Sequence, residues 1–296
     1  MSILTGARMM NDGQGHLFMV GGGEDRRGAM RVLARYVELC GGPDRPIAVV
    51  TSASAIADQM WELYDSVFGE LGVRHRFCVR PETAEEADDA DGERQILEAG
   101  GVFMSGGSQQ RLVEILNGTR LHRAMRQAFG RQGACLGGTS AGAAAMARLM
   151  LARGTREKLP DKRTARLESG LDFLRQVVID QHFSERQRLA RLLSAVAQSP
   201  DLIGVGIDED TALIIGSNGQ IEVFGAGAVT LIDGRRMSSN IARAGTQENL
   251  ELIQVILHLL PADSRYDADH LDADGRPAAA TEALINVLQL VGQVRL

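Results

Sequence analysis

Cysteine is scarce in this 296-residue chain. Cys40, Cys78 and Cys135 are an odd number, widely spaced, and form no C-x-x-C pair. That argues against a disulfide framework and a thiolate zinc site, and predicts buried thiols in a reducing compartment. No run approaches the ~20 apolar residues of a membrane span. The opening segment, Met1 to Arg8, lacks the basic-then-apolar order of a signal peptide. A cytoplasmic protein is expected. Positive charge is not in excess either, with 32 Lys and Arg against 38 Asp and Glu and a formal charge of -6. Such a balance gives no global attraction for nucleic acid or an anionic membrane. There is no internal repeat. Gly21-Gly22-Gly23 runs into Glu24-Asp25 without the G-x-G-x-x-G spacing, so no dinucleotide fold is indicated, and the acids disfavour a phosphate there.

What is present is the make-up of an ordinary globular protein, 44% hydrophobic and 24% charged. The length suffices to bury about three-quarters of the unfolded surface. Short apolar runs alternate with helical patterns through the first half: Leu17 to Val20, Ile47 to Val50, a weaker Val73 to Val79, Gly101 to Met104 and Gly133 to Leu136. Helical spacing falls between them, over 24–40 and about 54–71; the acidic run 82–93 reads as a solvated helix or loop. This predicts an α/β fold with a mostly parallel central sheet flanked by helices. After residue 200 the texture becomes strand-rich: Leu202 to Ile207, Thr211 to Ile215, Ile221 to Phe224 and Val229 to Ile232, with Asn218-Gly219 as a hairpin signal. Residues 249–260 suit helix or strand equally, 261–280 read as irregular, and 281–291 as a final helix or strand. One domain over 1–296 is expected, with 1–15 a flexible N-terminus and 261–296 a C-terminal extension.

In such sheets the carboxyl ends of the strands carry the site. Gly138-Thr139-Ser140-Ala141-Gly142 is a G-x-S-x-G between a strand and a segment rich in alanine, the arrangement of a nucleophile elbow. Ser140 is therefore the candidate nucleophile. His182, at the end of the apolar run 177–181, is the candidate base, and Ser184 with Gln187 reads as a capping box for the helix that follows. Glu209 is the candidate orienting acid, with Glu157 as its rival. The amides of Ala141 and Gly107 are candidate oxyanion donors, and Gln109 lies where it can reach the cleft. Arg186, Arg188 and Arg191 suggest recognition of carboxylates, and Asp180 a hold on a cationic group. Leu189, Leu192, Leu193 and Val196 form the buried stripe of that helix.

Five segments together resemble the cyanophycinase family of serine peptidases, related to aspartyl dipeptidase. They are Val20 to Arg26, Phe103 to Gln109, Gly137 to Ala143, Ile179 to Ser184 with the three arginines, and Gly206 to Ala212. The resemblance implies a fold like the class I glutamine amidotransferases (flavodoxin-like), with serine in place of their cysteine. It also implies homodimers working without metal or cofactor. The substrate implied is cyanophycin, a poly-aspartate backbone with arginine on each side-chain carboxyl, cut from an end into β-Asp-Arg dipeptides. Carried over by motif, Ser140, His182 and Glu209 form the triad, and Gln109, Asp180, Arg186, Arg188 and Arg191 line the pocket. Ser108 departs from the acidic or amide residue often found there, with Gln110 beside it. The alternatives are an α-aspartyl dipeptidase and a non-catalytic polymer-binding protein on the same scaffold. An amidotransferase is disfavoured, since Cys135 precedes the elbow by five positions.

Overall fold

A computed structural model describes residues 13–154, 157–216, 219–267 and 287–291. The first half alternates strand and helix as expected. It runs β1 (Leu17–Val20), α1 (Arg31–Leu39), β2 (Ile47–Val50), α2 (Ala57–Glu70), β3 (Arg76–Val79), α3 (Ala90–Glu98), β4 (Gly101–Met104), α4 (Gln109–Leu116), α5 (Arg120–Gln132), β5 (Cys135–Thr139) and α6 (Ala141–Ala144). The second half is mostly strand: β6 (Leu149–Gly154), β7 (Ala165–Ser169), β8 (Val177–Gln181), then α7 (Leu189–Gln198). It continues with β9 (Ile203–Ile207), β10 (Thr211–Ile215), β11 (Gln220–Gly225), β12 (Ala228–Asp233), β13 (Ser238–Ser239), β14 (Leu252–Ile253), β15 (Ile256–Pro261) and β16 (Ser264–Asp267).

Two sheets result. The larger has the order β16-β11-β10-β1-β5-β4-β2-β3, and its β1, β5, β4, β2 and β3 are parallel. The hairpin partners β10 and β11 extend it antiparallel beyond β1. The smaller has the order β15-β12-β9-β8, in which only β8 and β9 are parallel. Alternation along β1 shows why its sequence is an unbroken apolar run. Leu17 and Met19 enter one core cluster, which continues into the smaller sheet, while Phe18 and Val20 enter another with Tyr36, Tyr64, Phe68 and Phe103. A strand with both faces covered needs apolar residues at every position.

Several expectations change. Helix α1 starts at Arg31 because Asp25 takes the amides of Arg27, Gly28 and Met30, winding residues 25–30 into a turn instead of helix. Those amides hold the Asp25 carboxyl down at about 2. The ambiguous segment 249–260 forms β14 and most of β15, and 264–267, read as irregular, is a strand pairing with β11. Residues 287–291 are helical. The flexible N-terminus falls mainly on residues 1–12, and the irregular excursion on 268–280; both lie outside the described residues, as do 281–286 and the hairpin tip at 217–218. Among the described residues no helix is long and apolar enough to cross a membrane.

Candidate active site

Ser140 follows the last residue of β5, with φ 51 and ψ -109, a conformation that costs a non-glycine residue energy and persists only where the surroundings impose it. The glycines of the motif explain how it is imposed. A Cβ on Gly138 would lie 2.6 Å from the Gly142 carbonyl carbon, and one on Gly142 would lie 2.3 Å from the Met104 oxygen. The turn closes only because neither has a side chain. The alanines 141 and 143–145 are fully buried against the sheet, although the helix they begin is only four residues long.

His182 and Glu209 come from the smaller sheet, just past the carboxyl ends of the parallel strands β8 and β9. Ser140 Oγ lies 2.9 Å from His182 Nε2, and His182 Nδ1 lies 2.6 Å from Glu209 Oε1. Burial lowers the imidazole below its ordinary range, opposed by the Glu209 hydrogen bond and reinforced by the Arg186 charge. The neutral ring therefore donates Nδ1–H to Glu209 and presents the Nε2 lone pair to the serine hydroxyl. Glu157, the rival acid, is exposed, and Glu209 occupies the imidazole's other nitrogen.

The turn after β4 lies alongside. A Cβ on Gly106 would be 4.0 Å from Ser140 Oγ, while Gly107, at φ 143, packs so tightly that its Cβ would be 2.2 Å from the Ala53 oxygen. Of the oxyanion candidates, Ala141 opens α6 directly after the serine, and Gly107 follows Gly106 in the turn after β4. Gln109 opens α4, and its amide donates to the Leu151 carbonyl at 2.7 Å. Its neighbour Gln110 donates to Glu168 at 2.8 Å.

The arginines separate into two kinds. Arg186 is exposed. Arg188 and Arg191 turn inward onto Asp180, which has no exposed surface. Arg191 Nε donates to Asp180 Oδ2 at 2.8 Å and its Nη2 to Oδ1, while Arg188 Nη1 donates to Oδ1 at 3.1 Å and to the Gln181 carbonyl. Burial brings the Arg188 guanidinium down to about 10, against the pull of Asp180. The expected hold of Asp180 on a cationic ligand is met by the chain's own arginines. The capping box is also corrected. Ser184 donates its hydroxyl to Asp208 at 2.6 Å, α7 begins only at Leu189, and Leu189 is 43% exposed instead of buried.

Sequence reasoning missed the part played by the end of β1. The amides of Ser140, His182 and Asp210 donate to the carbonyls of Val20, Gly21 and Gly22 at 3.0, 2.7 and 2.9 Å. A Cβ on Gly22 would lie 2.3 Å from His182 Cε1, and one on Gly23 2.7 Å from Glu209 Oε2. The triple glycine was legible as a tight turn; that it makes room for an imidazole and a carboxylate was not.

A strained serine at a parallel strand's carboxyl end, facing an imidazole that a carboxylate holds from behind, is the arrangement serine hydrolases use. Known proteins narrow the class. Residues 17–223 match Peptidase family S51, and the chain belongs to that family of serine-type peptidases. It is 36% identical over 255 residues to the cyanophycinase of Synechococcus elongatus, covering 86% of this chain and 79% of that protein. With the cyanophycinase of Geminocystis herdmanii it is 35% identical over 252 residues, covering 85% and 93%. Among solved structures it resembles a peptidase from an acI-B1 actinobacterium, with a TM-score of 0.63 at 18% identity, covering 86% of this chain and 97% of that one. That likeness supports the α/β architecture.

Proposed function

We propose that this chain is a serine exopeptidase that hydrolyses the poly-aspartate backbone of cyanophycin to β-Asp-Arg dipeptides. The relay of 2.9 and 2.6 Å from Ser140 through His182 to Glu209 carries the reading. His182 takes the hydroxyl proton as Ser140 Oγ attacks the scissile carbonyl. The oxyanion is held by the amides of Gly107 and Ala141. As the C–N bond breaks, the imidazolium gives its proton to the leaving amine; a water, deprotonated by the same imidazole, then releases the acyl group. Glu209 fixes the tautomer and stabilises the imidazolium.

Each unit of this substrate displays a free carboxylate and a guanidinium. Arg186 is the exposed cation suited to the carboxylate, and Gln109 supplies polar contact. Asp180 with Arg188 and Arg191 forms the pocket wall behind them. The fold is read as kin to the class I glutamine amidotransferases, as one domain acting as a cytoplasmic homodimer. A core cluster that joins residues of both sheets supports the single domain.

Incubation with insoluble cyanophycin and, separately, with Asp-containing dipeptides tests the reading. Soluble β-Asp-Arg released from the granules is expected, with S140A losing ~10⁴-fold or more in turnover while retaining polymer binding. Cleavage of free dipeptides alone makes it an aspartyl dipeptidase. Binding without solubilisation makes it a polymer-binding protein.

A further inference from the structure

The end of β1 and the glycines after it bond the backbone of Ser140, of His182 and of Asp210, the residue after Glu209. Three successive carbonyls of this segment take those amides, as described above. The next side chain in that segment is Glu24, a carboxylate only 3% exposed. Burying such a charge is costly unless hydrogen bonds replace its water. Glu24 has two. Its Oε1 accepts from the Tyr64 hydroxyl at 2.5 Å and its Oε2 from the Thr139 hydroxyl at 2.6 Å. Burial, followed by the Glu24 charge, pushes the Tyr64 phenol well above its usual range, so it remains a donor to the carboxylate.

The position of Thr139 gives these bonds their consequence. Thr139 ends β5 and immediately precedes the serine held at φ 51. Glu24 lies on the other side of the junction, directly after the glycines that pack on His182 and Glu209. We infer that Glu24 is a positioning residue, and that its bond to Thr139 fixes the nucleophile's turn against the segment carrying the imidazole and its carboxylate. The base and the nucleophile come from different sheets, so their separation depends on what joins the two, and this tie adds a buried side-chain bond to the backbone bonds and packing already there. Displacement of reacting atoms by about 1 Å can cost 10²-fold in rate. The inference rests on Ser140 being the nucleophile.

The test compares T139V, which keeps the shape and loses the hydroxyl, with T139S, which keeps the hydroxyl. Each is treated with a small phosphonofluoridate well below its thermal transition, and kcat and KM on cyanophycin are measured alongside. The expected result is labelling and kcat slowed about 10- to 100-fold in T139V with KM little changed, and most of the rate recovered in T139S. Labelling of T139V at the wild-type rate overturns the inference. So does a loss in T139S as deep as in T139V, because the missing methyl contact would then be the cause. If T139V does not accumulate as folded protein, E24Q poses the same question, since its single amide oxygen cannot accept from both hydroxyls in the same way. Slowed labelling of E24Q supports the tie, and wild-type labelling overturns it. Labelling that persists in S140A overturns the assignment of the nucleophile itself, and so is distinguishable from failure of the tie.

Discussion

Two carboxylates at the ends of neighbouring parallel strands behave in opposite ways. Asp180, in β8, has no exposed surface and receives both Arg188 and Arg191. Glu209, just beyond β9, keeps 37% of its side chain exposed and touches one ring nitrogen. A buried carboxylate already bonded to two guanidiniums has little capacity left for a ligand, and breaking such a cluster leaves charge stranded in a medium that cannot solvate it. An accessible carboxylate against a neutral imidazole can instead respond when that ring takes up a proton. The same functional group, buried in one place and accessible in the other, is used by the fold at Asp180 and is free to serve the proposed chemistry at Glu209.

The deepest cut into that contrast is E209Q. Loss of the carboxylate is expected to lower turnover by about 10²- to 10⁴-fold, because the imidazolium formed during acylation loses its partner. E157Q is expected to stay near wild type, and the reverse outcome in steady-state assays would transfer the orienting role to Glu157. D180N attacks the other carboxylate and is expected to act on the fold. Two guanidiniums with 12% exposure each would lose their counter-charge, costing about 3–5 kcal/mol in urea unfolding. A higher KM at unchanged stability would instead show Asp180 facing substrate.

R186Q is expected to weaken the hold on the substrate carboxylate and, on the base itself, to act less than E209Q does. The Arg186 charge disfavours the imidazolium of His182. Removing it raises the imidazole pKa, so a higher pH is needed to keep the base neutral. The acid limb of the kcat/KM profile should move up by about a third of a pH unit at low salt, the worth of one exposed charge, and less at high salt. A limb that moves down, or a shift indifferent to salt, would separate Arg186 from the histidine.

Much of this was legible before any coordinates. The β-strand, glycines and serine of the elbow are contiguous, so local sequence carries their geometry. The strand-helix alternation of residues 17–139 carries the parallel sheet in the same way. Less legible was the region after 240, where apolar residues alternate too weakly to separate helix from strand, and β15 becomes an edge with Leu257 and Leu259 half or more exposed. The helix expected from residue 24 failed because periodicity does not register a carboxylate capturing three amides. The capping box at Ser184 failed for a related reason: Asp208, 24 positions away, competes for the same hydroxyl.

Sequence alone determined which groups are chemically able to act: a serine between glycines, a histidine at a strand's end, an acid at a strand break, and three arginines within nine positions of the histidine. Those are properties of residue type and short spacing. Tertiary structure decided which arginine stays in solvent, which acid is spent on the fold, and that a carboxylate at position 24 bonds Thr139, 115 positions away at the end of the strand that leads to Ser140. Burial and hydrogen-bond saturation depend on what packs on a group from distant segments, and no local pattern encodes that.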